Sequence, residues 1–218
     1  MRSETALTRT SGGATIEHMF FQGSLFGLAE PSIDDRRLDR TWLDDTTWID
    51  HSPTWLAGAD DVFDELFHAL PWEQRRGVKM YDRLVDEPRL VHWWSVASDT
   101  PEPLAVLGTI RHELSERYRV PFDSIGFNLY RDGHDSVAWH GDRHRDRIEN
   151  PIVAILSVGA ARPLRLRPRG GGRSRAWNLG YGDLFVMGGA CQHRWEHCVP
   201  KVHDVGPRIS ITFRHDAR

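Results

Sequence analysis

His140-Gly141-Asp142 follows directly on a strand-like run, Ser136-Val137-Ala138-Trp139. Side chains alternate across a strand, so the imidazole at 140 and the carboxylate at 142 turn to one side and face a common point. A second histidine brought in from another strand would complete a face of two histidines and one carboxylate and leave the opposite coordination positions open. Non-heme Fe(II) oxygenases use that ligand set, whereas zinc sites favour closed or nearly closed tetrahedra richer in nitrogen and sulfur. The chain has twelve histidines, so one H-x-D triplet arises easily by chance. Its meaning depends on the neighbouring strands.

The run Arg208-Ile209-Ser210-Ile211-Thr212-Phe213-Arg214 alternates without a break. Arg208, Ser210, Thr212 and Arg214 share one face and three apolar residues share the other. Two guanidinium groups on a buried face are costly unless an anion meets them. The planar fork of arginine suits carboxylates, so a small dianion such as 2-oxoglutarate fits there. Phe127-Asn128-Leu129-Tyr130 places an amide and a phenol on one side in the same way. The alternative is a surface strand whose arginines are solvated.

In this order and spacing, N-x-Y at Asn128 to Tyr130, H-x-D at His140 to Asp142, His197, and R-x-S-x-x-x-R at Arg208 to Arg214 resemble the AlkB family. That family comprises Fe(II)- and 2-oxoglutarate-dependent dioxygenases that remove alkyl groups from nucleic acid bases. The resemblance extends back through Leu70 to Arg75 and Glu87 to Leu90, and so covers roughly residues 40 to 218. It implies that His140, Asp142 and His197 bind iron and act as the catalytic centre. It also implies that Asn128, Tyr130, Arg208, Ser210 and Arg214 bind 2-oxoglutarate, with O2 as the other cosubstrate. Arg208, Tyr130 and Ser210 would take the distal carboxylate, and Arg214 with Asn128 the end nearer iron. The chain departs from the pattern twice. Ser210 stands where many members have asparagine, and His144 stands where many have an acidic residue. A hydroxyl still donates to a carboxylate, whereas His144 bears on base preference.

Gln192-His193-Arg194-Trp195-Glu196-His197 offers two histidines for the third ligand position, and His203 follows. The family layout favours His197, with His193 as runner-up. Cys191 and Cys198 also permit a cysteine-histidine zinc site, but four ligands from eight consecutive residues is a cramped arrangement.

Six arginines and no acidic residue lie between Arg162 and Arg175, broken by Gly170-Gly171-Gly172. Leu164-Arg165-Leu166-Arg167 alternates and the glycines supply a turn, which predicts a basic hairpin. Arg165, Arg167 and Arg169 could meet phosphates there, and Arg143, Arg145 and Arg147 add charge nearby. The overall formal charge of -3 does not point to nucleic acid, so the distribution carries the expectation. A base must leave its stack to reach a buried metal. The resemblance places Trp93 and Trp94 where substrate contacts fall, whereas strand parity makes Trp139 a core residue.

These residues have to be held by a fold. Helical periodicity covers Ala59 to Leu70 and Pro103 to Arg119. Strands are expected near 124–130, 137–142, 151–158, 163–167, 183–187 and 207–214. Helices followed by many short strands predict an α+β chain, with a double-stranded β-helix (jelly-roll) core flanked by N-terminal helices. Residues 1–30 read as a partly flexible tail and 31–218 as the dioxygenase domain. The length and 39% hydrophobic content suit one core. No apolar run is long enough for a signal or a membrane span, and two cysteines fit a reducing cytoplasm. The expected protein is a cytoplasmic monomer acting on alkylated single- or double-stranded DNA, with RNA as a further substrate class. A protein or small-molecule hydroxylase is the alternative reading. A metal-free binding module and a cupin-type zinc enzyme are further rivals.

Overall fold

The structure, a computed structural model, describes residues 31–34, 38–80, 83–142 and 148–215. The expected tail 1–30, and Arg143, His144, Arg145 and Arg147, lie outside the described residues.

The chain opens with β1 (Ser32–Ile33), β2 (Asp39–Trp42), β3 (Thr47–Ser52) and β4 (Leu56–Ala57), followed by α1 (Ala59–Ala69). Then come β5 (Val78–Met80), β6 (Arg83–Val85), β7 (Leu90–Ser95) and α2 (Ala105–Tyr118). The C-terminal half holds β8 (Ser124–Tyr130), β9 (Val137–His140), β10 (Val153–Gly159), β11 (Arg162–Pro168) and β12 (Arg175–Leu179). It continues with β13 (Asp183–Gly189), the short α3 (Cys191–Arg194), β14 (Trp195–Val199) and β15 (Arg208–Arg214). Among the described residues no helix is long and apolar enough to cross a membrane.

Two antiparallel sheets form the body. A seven-stranded sheet runs β2-β3-β13-β10-β15-β8-β7, and a four-stranded sheet runs β12-β11-β14-β9. The large sheet is the middle layer, with helices on one face and the small sheet on the other. Parity along its central strands shows this directly. Ala154, Leu156 and Val158 of β10, Leu184 and Val186 of β13, and Ile209, Ile211 and Phe213 of β15 pack in one core with Val62 and Leu66 of α1 and Leu107, Ile110 and Leu114 of α2. The alternate residues Val153, Ile155, Phe185 and Met187 pack in a second core with Leu164, Leu166 and Leu179 of the small sheet. A one-residue slip of β15 would drive both arginines into the helical core, so its apolar face fixes the register. This is the expected jelly roll.

The helices do not precede all the strands as expected. Four strands come before α1, and three more separate it from α2. β3 escapes a periodicity search because its buried face carries polar groups. Asp50 accepts a bidentate pair from Arg40 at 2.7 and 2.8 Å and a bond from the Tyr118 hydroxyl at 2.9 Å. Trp139 turns away from the site as parity requires, but it is not a core residue. It is partly exposed on the outer face of the small sheet, with the Arg167 guanidinium 4.1 Å from its ring centroid.

Candidate metal and anion site

β9 and β14 pair so that His140 stands directly opposite His197, while Asp142 lies just past the end of β9. One ligand atom from each of the three side chains lies within 4.8 Å of the others. His140 Nε2 and His197 Nε2 approach the same carboxylate oxygen, Asp142 Oδ1, at 3.6 and 3.7 Å. His140 Nδ1 is 2.8 Å from the Ala138 carbonyl. A carbonyl only accepts, so Nδ1 donates to it and Nε2 is the ring nitrogen turned toward a ligand.

Asp142 Oδ2 is gripped by Arg214 through Nε at 2.9 Å and Nη2 at 2.8 Å. Burial would raise the pKa of this carboxyl, but Arg214, His197 and His140 outweigh it and hold it well below the ordinary range. It therefore stays ionised with Oδ1 turned to the histidines. Two imidazoles and a fixed anion make a donor set suited to Fe(II).

His193 is exposed on α3 and outside this group, so the runner-up ligand is displaced by His197. Cys191 and Cys198 are buried free thiols. Burial, with Asp142 and Asp44 nearby, pushes Cys191 up to about 12, which disfavours the thiolate a zinc site needs.

β15 and β8 pair with Arg208 opposite Tyr130 and Ser210 opposite Asn128. This register carries the polar face of both strands into one cavity beside the triad. The cavity is lined by Asn128, Tyr130, Arg208, Ser210, Thr212 and Arg214, and by His140, Asp142 and His197. Arg208 is fully buried and gives Nη2 to Ser157 Oγ at 2.6 Å, but its Nε and Nη1 have no hydrogen-bond partner. Burial pulls the pKa of this guanidinium down to about 10 despite Tyr130 beside it, with Arg162 adding to the fall. Two orphaned donors on a buried cation define an anion site. Burial also raises the Tyr130 phenol, which stays a neutral donor.

All eight predicted metal and cosubstrate residues meet in this cavity, though two have partners the sequence did not show. Asn128 Oδ1 accepts from Arg89 Nε at 2.8 Å, and Arg214 is committed to Asp142. Arg89 also lines the cavity and pairs with Glu87 at 3.0 Å. Sequence reasoning assigned it no role, although it stands in the Glu87-to-Leu90 stretch that carries the resemblance. Ile155, Leu164, Val137 and Val199 complete the wall, and only their inward parity could have marked them.

The two tryptophans separate cleanly. Trp94 is buried and its Nε1 donates to Thr100 O at 2.9 Å, so it belongs to the core. Trp93 is 47% exposed, with Arg214 Cζ 5.8 Å from its ring centroid.

The basic stretch forms the expected hairpin, β11 pairing with β12, but its arginines differ. Arg162 is fully buried and donates to the carbonyls of Asp132, Asp135 and Pro200 at 2.8, 2.8 and 2.9 Å. Arg167 pairs with Glu196 at 2.5 Å, and Arg169 bonds to main-chain carbonyls of α3. Arg165, Arg173 and Arg175 are exposed.

The family model of the 2OG-Fe(II) oxygenase superfamily matches residues 41–214. The chain is 36% identical over 178 residues to "Alpha-ketoglutarate-dependent dioxygenase alkB homolog 3" of Bos taurus, an alignment that takes in 73% of this chain and 62% of that protein. With the Homo sapiens protein of that name it shares 35% over 175 residues, 72% of this chain and 61% of the other. It thus spans about three fifths of the length of these relatives. It is 28% identical to "DNA oxidative demethylase ALKBH2" of Homo sapiens, covering 76% of this chain and 73% of that protein. The solved structure titled "The structure of OsALKBH1" shares the fold at a TM-score of 0.59 and 11% identity, over 81% of this chain and 100% of that one.

Proposed function

Because this chain belongs to the 2OG-Fe(II) oxygenase superfamily, as an AlkB-family member of it, we propose that it oxidatively dealkylates N-alkylated bases in DNA, with RNA as a further substrate class. The carrying observation is the cavity in which an ionised Asp142 and two histidines adjoin a buried arginine with two orphaned donors. His140, Asp142 and His197 would hold Fe(II), which when bound supplies the oxidising chemistry with O2 and 2-oxoglutarate. In the net reaction one oxygen atom of O2 enters succinate as 2-oxoglutarate loses CO2. The other hydroxylates the N-methyl carbon, and the resulting hemiaminal releases formaldehyde and the restored base.

The protein's own contribution is positioning. Arg208, with Tyr130 and Ser210, anchors the distal carboxylate of the dianion. Arg214 fixes Asp142, and Asn128, held by Arg89, turns its amide N–H toward the near end. Ile155, Leu164 and Val199 give the cavity that would hold the dianion an apolar wall. Trp93 is the exposed aromatic beside Arg214 and provides a platform for the extruded base. The names of the related alkB homolog 3 and DNA oxidative demethylase favour this reading over a protein or small-molecule substrate.

The test is mass spectrometry of a single-stranded oligonucleotide bearing N1-methyladenine or N3-methylcytosine, incubated with protein, Fe(II), ascorbate and 2-oxoglutarate. Loss of the methyl mass with matching formaldehyde and succinate is the expected result. Succinate formation with the methyl group intact would refute the nucleic-acid substrate. In the same assay Trp93→Ala raises KM for the oligonucleotide by about tenfold, the order of one base-stacking contact; an unchanged KM would remove Trp93 from the substrate site.

A further inference from the structure

Arg169 sits at the start of the basic hairpin turn and is exposed like its neighbours, but its guanidinium is bonded to carbonyls of the chain itself. Its backbone N–H donates to Arg194 O at 2.8 Å, Nε donates to His193 O at 3.0 Å, and Nη2 donates to Gln192 O at 3.1 Å. Three successive carbonyls of the four-residue α3 are thereby satisfied by one residue, as a basic side chain does at a helix C-terminus.

The same guanidinium covers the metal-ligand turn. A Cβ at Gly141 would lie 2.5 Å from Arg169 Nη2 and 3.1 Å from Gln192 O. Gly141 is not among the glycines with positive φ, so the backbone accepts other residues there, and a side chain at 141 would have to push the Arg169 guanidinium aside and crowd the Gln192 carbonyl. Beneath it, the buried Gln192 side chain presents Oε1 to the Asp142 N–H at 3.4 Å. The turn is thus held between Arg169 above and Gln192 beside it.

We propose that Arg169 is a positioning residue for the metal ligand Asp142: seated over Gly141, it fastens the His140–Asp142 turn to α3 and sets the aim of the carboxylate. The inference rests on the metal reading above. It divides the hairpin into two working parts. Arg169 serves the metal turn, while the exposed Arg165, Arg173 and Arg175 are left for phosphates.

The chain is titrated with Co(II), followed by its visible absorption, and binding to a single-stranded oligonucleotide is measured against salt. Arg169→Ala is expected to weaken Co(II) binding about tenfold, the scale of lost support behind a ligand. Arg169→Lys recovers part of the loss by restoring one donor. The salt slope of oligonucleotide binding stays near the parent value for Arg169→Ala, whereas Arg165→Ala lowers it by about one. Gly141→Ala weakens Co(II) binding in the parent but adds little in the Arg169→Ala background, because the two act through one contact.

Co(II) affinity within twofold of the parent in Arg169→Ala, or an equal effect of Gly141→Ala in both backgrounds, overturns the inference. If Arg169→Ala fails to fold, the Arg169→Lys and Gly141→Ala variants decide by the same affinity readout. A parent chain with no saturable Co(II) binding would instead refute the metal site itself, and this inference with it.

Discussion

Asp142→Ala is expected to bring turnover to the no-enzyme background and to destabilise the metal-free protein by about 3 kcal/mol at pH 7. The activity loss follows from removing the one anionic ligand, toward which both histidines converge at 3.6 and 3.7 Å. The stability loss follows from Arg214, whose Nε and Nη2 both bond to Asp142 and whose side chain is largely buried. Removing one partner of such a pair strands the other charge, which costs about 3–5 kcal/mol for a fully buried pair. The effect depends on pH, with a definite sign. The folded-state pKa of Asp142 is depressed, so its contribution is fully present above the unfolded value of about 4 and is lost as pH falls below it. Urea unfolding of wild type and variant should therefore show a gap at pH 7 that narrows toward pH 3. A gap that is constant with pH would show that the carboxylate charge is not what holds Arg214.

Arg208→Met is expected to act in two opposite directions. Cosubstrate binding should weaken by about 3 kcal/mol, the loss expected when one partner of a buried charge pair is truncated, and this reads as roughly a hundredfold rise in KM for 2-oxoglutarate. The ligand-free protein should be as stable as wild type or more so. Arg208 is a fully buried cation with two orphaned donors, and an apolar side chain of similar length removes that desolvation cost. Lysine at this position should not rescue, because it lacks the planar fork. An unchanged KM would place the dianion elsewhere. A large loss of ligand-free stability would mean that Arg208 is a structural residue rather than a binding one.

The most legible part of the sequence was β15. Its strict alternation places Ile209, Ile211 and Phe213 in the helical core and Arg208, Ser210 and Thr212 in the cavity, as the sequence required. The N-x-Y and H-x-D spacings were legible for the same reason, since two-residue periodicity survives folding into a sheet. β3 was hidden because Asp50 is buried against Arg40 of the paired strand and Tyr118 of the distant α2, partners that the local pattern of β3 does not show. The hairpin arginines were misread as one population because charge is local in sequence, whereas partners are not. Nothing in the chain between Arg162 and Arg169 announces that the first spans Asp132, Asp135 and Pro200 or that the last caps α3. The choice between Trp93 and Trp94 likewise needed the sheet, since adjacent residues on a strand take opposite faces and only one of those faces is covered.

The most direct test of the central claim is an anaerobic titration of the protein with Fe(II) in the presence of 2-oxoglutarate, followed by visible absorption. The account predicts a charge-transfer band that saturates at one equivalent of iron in the wild type, is absent in Asp142→Ala, and needs about a hundredfold more 2-oxoglutarate in Arg208→Met. Folded wild-type protein without such a band, or the same band in Asp142→Ala, would contradict it.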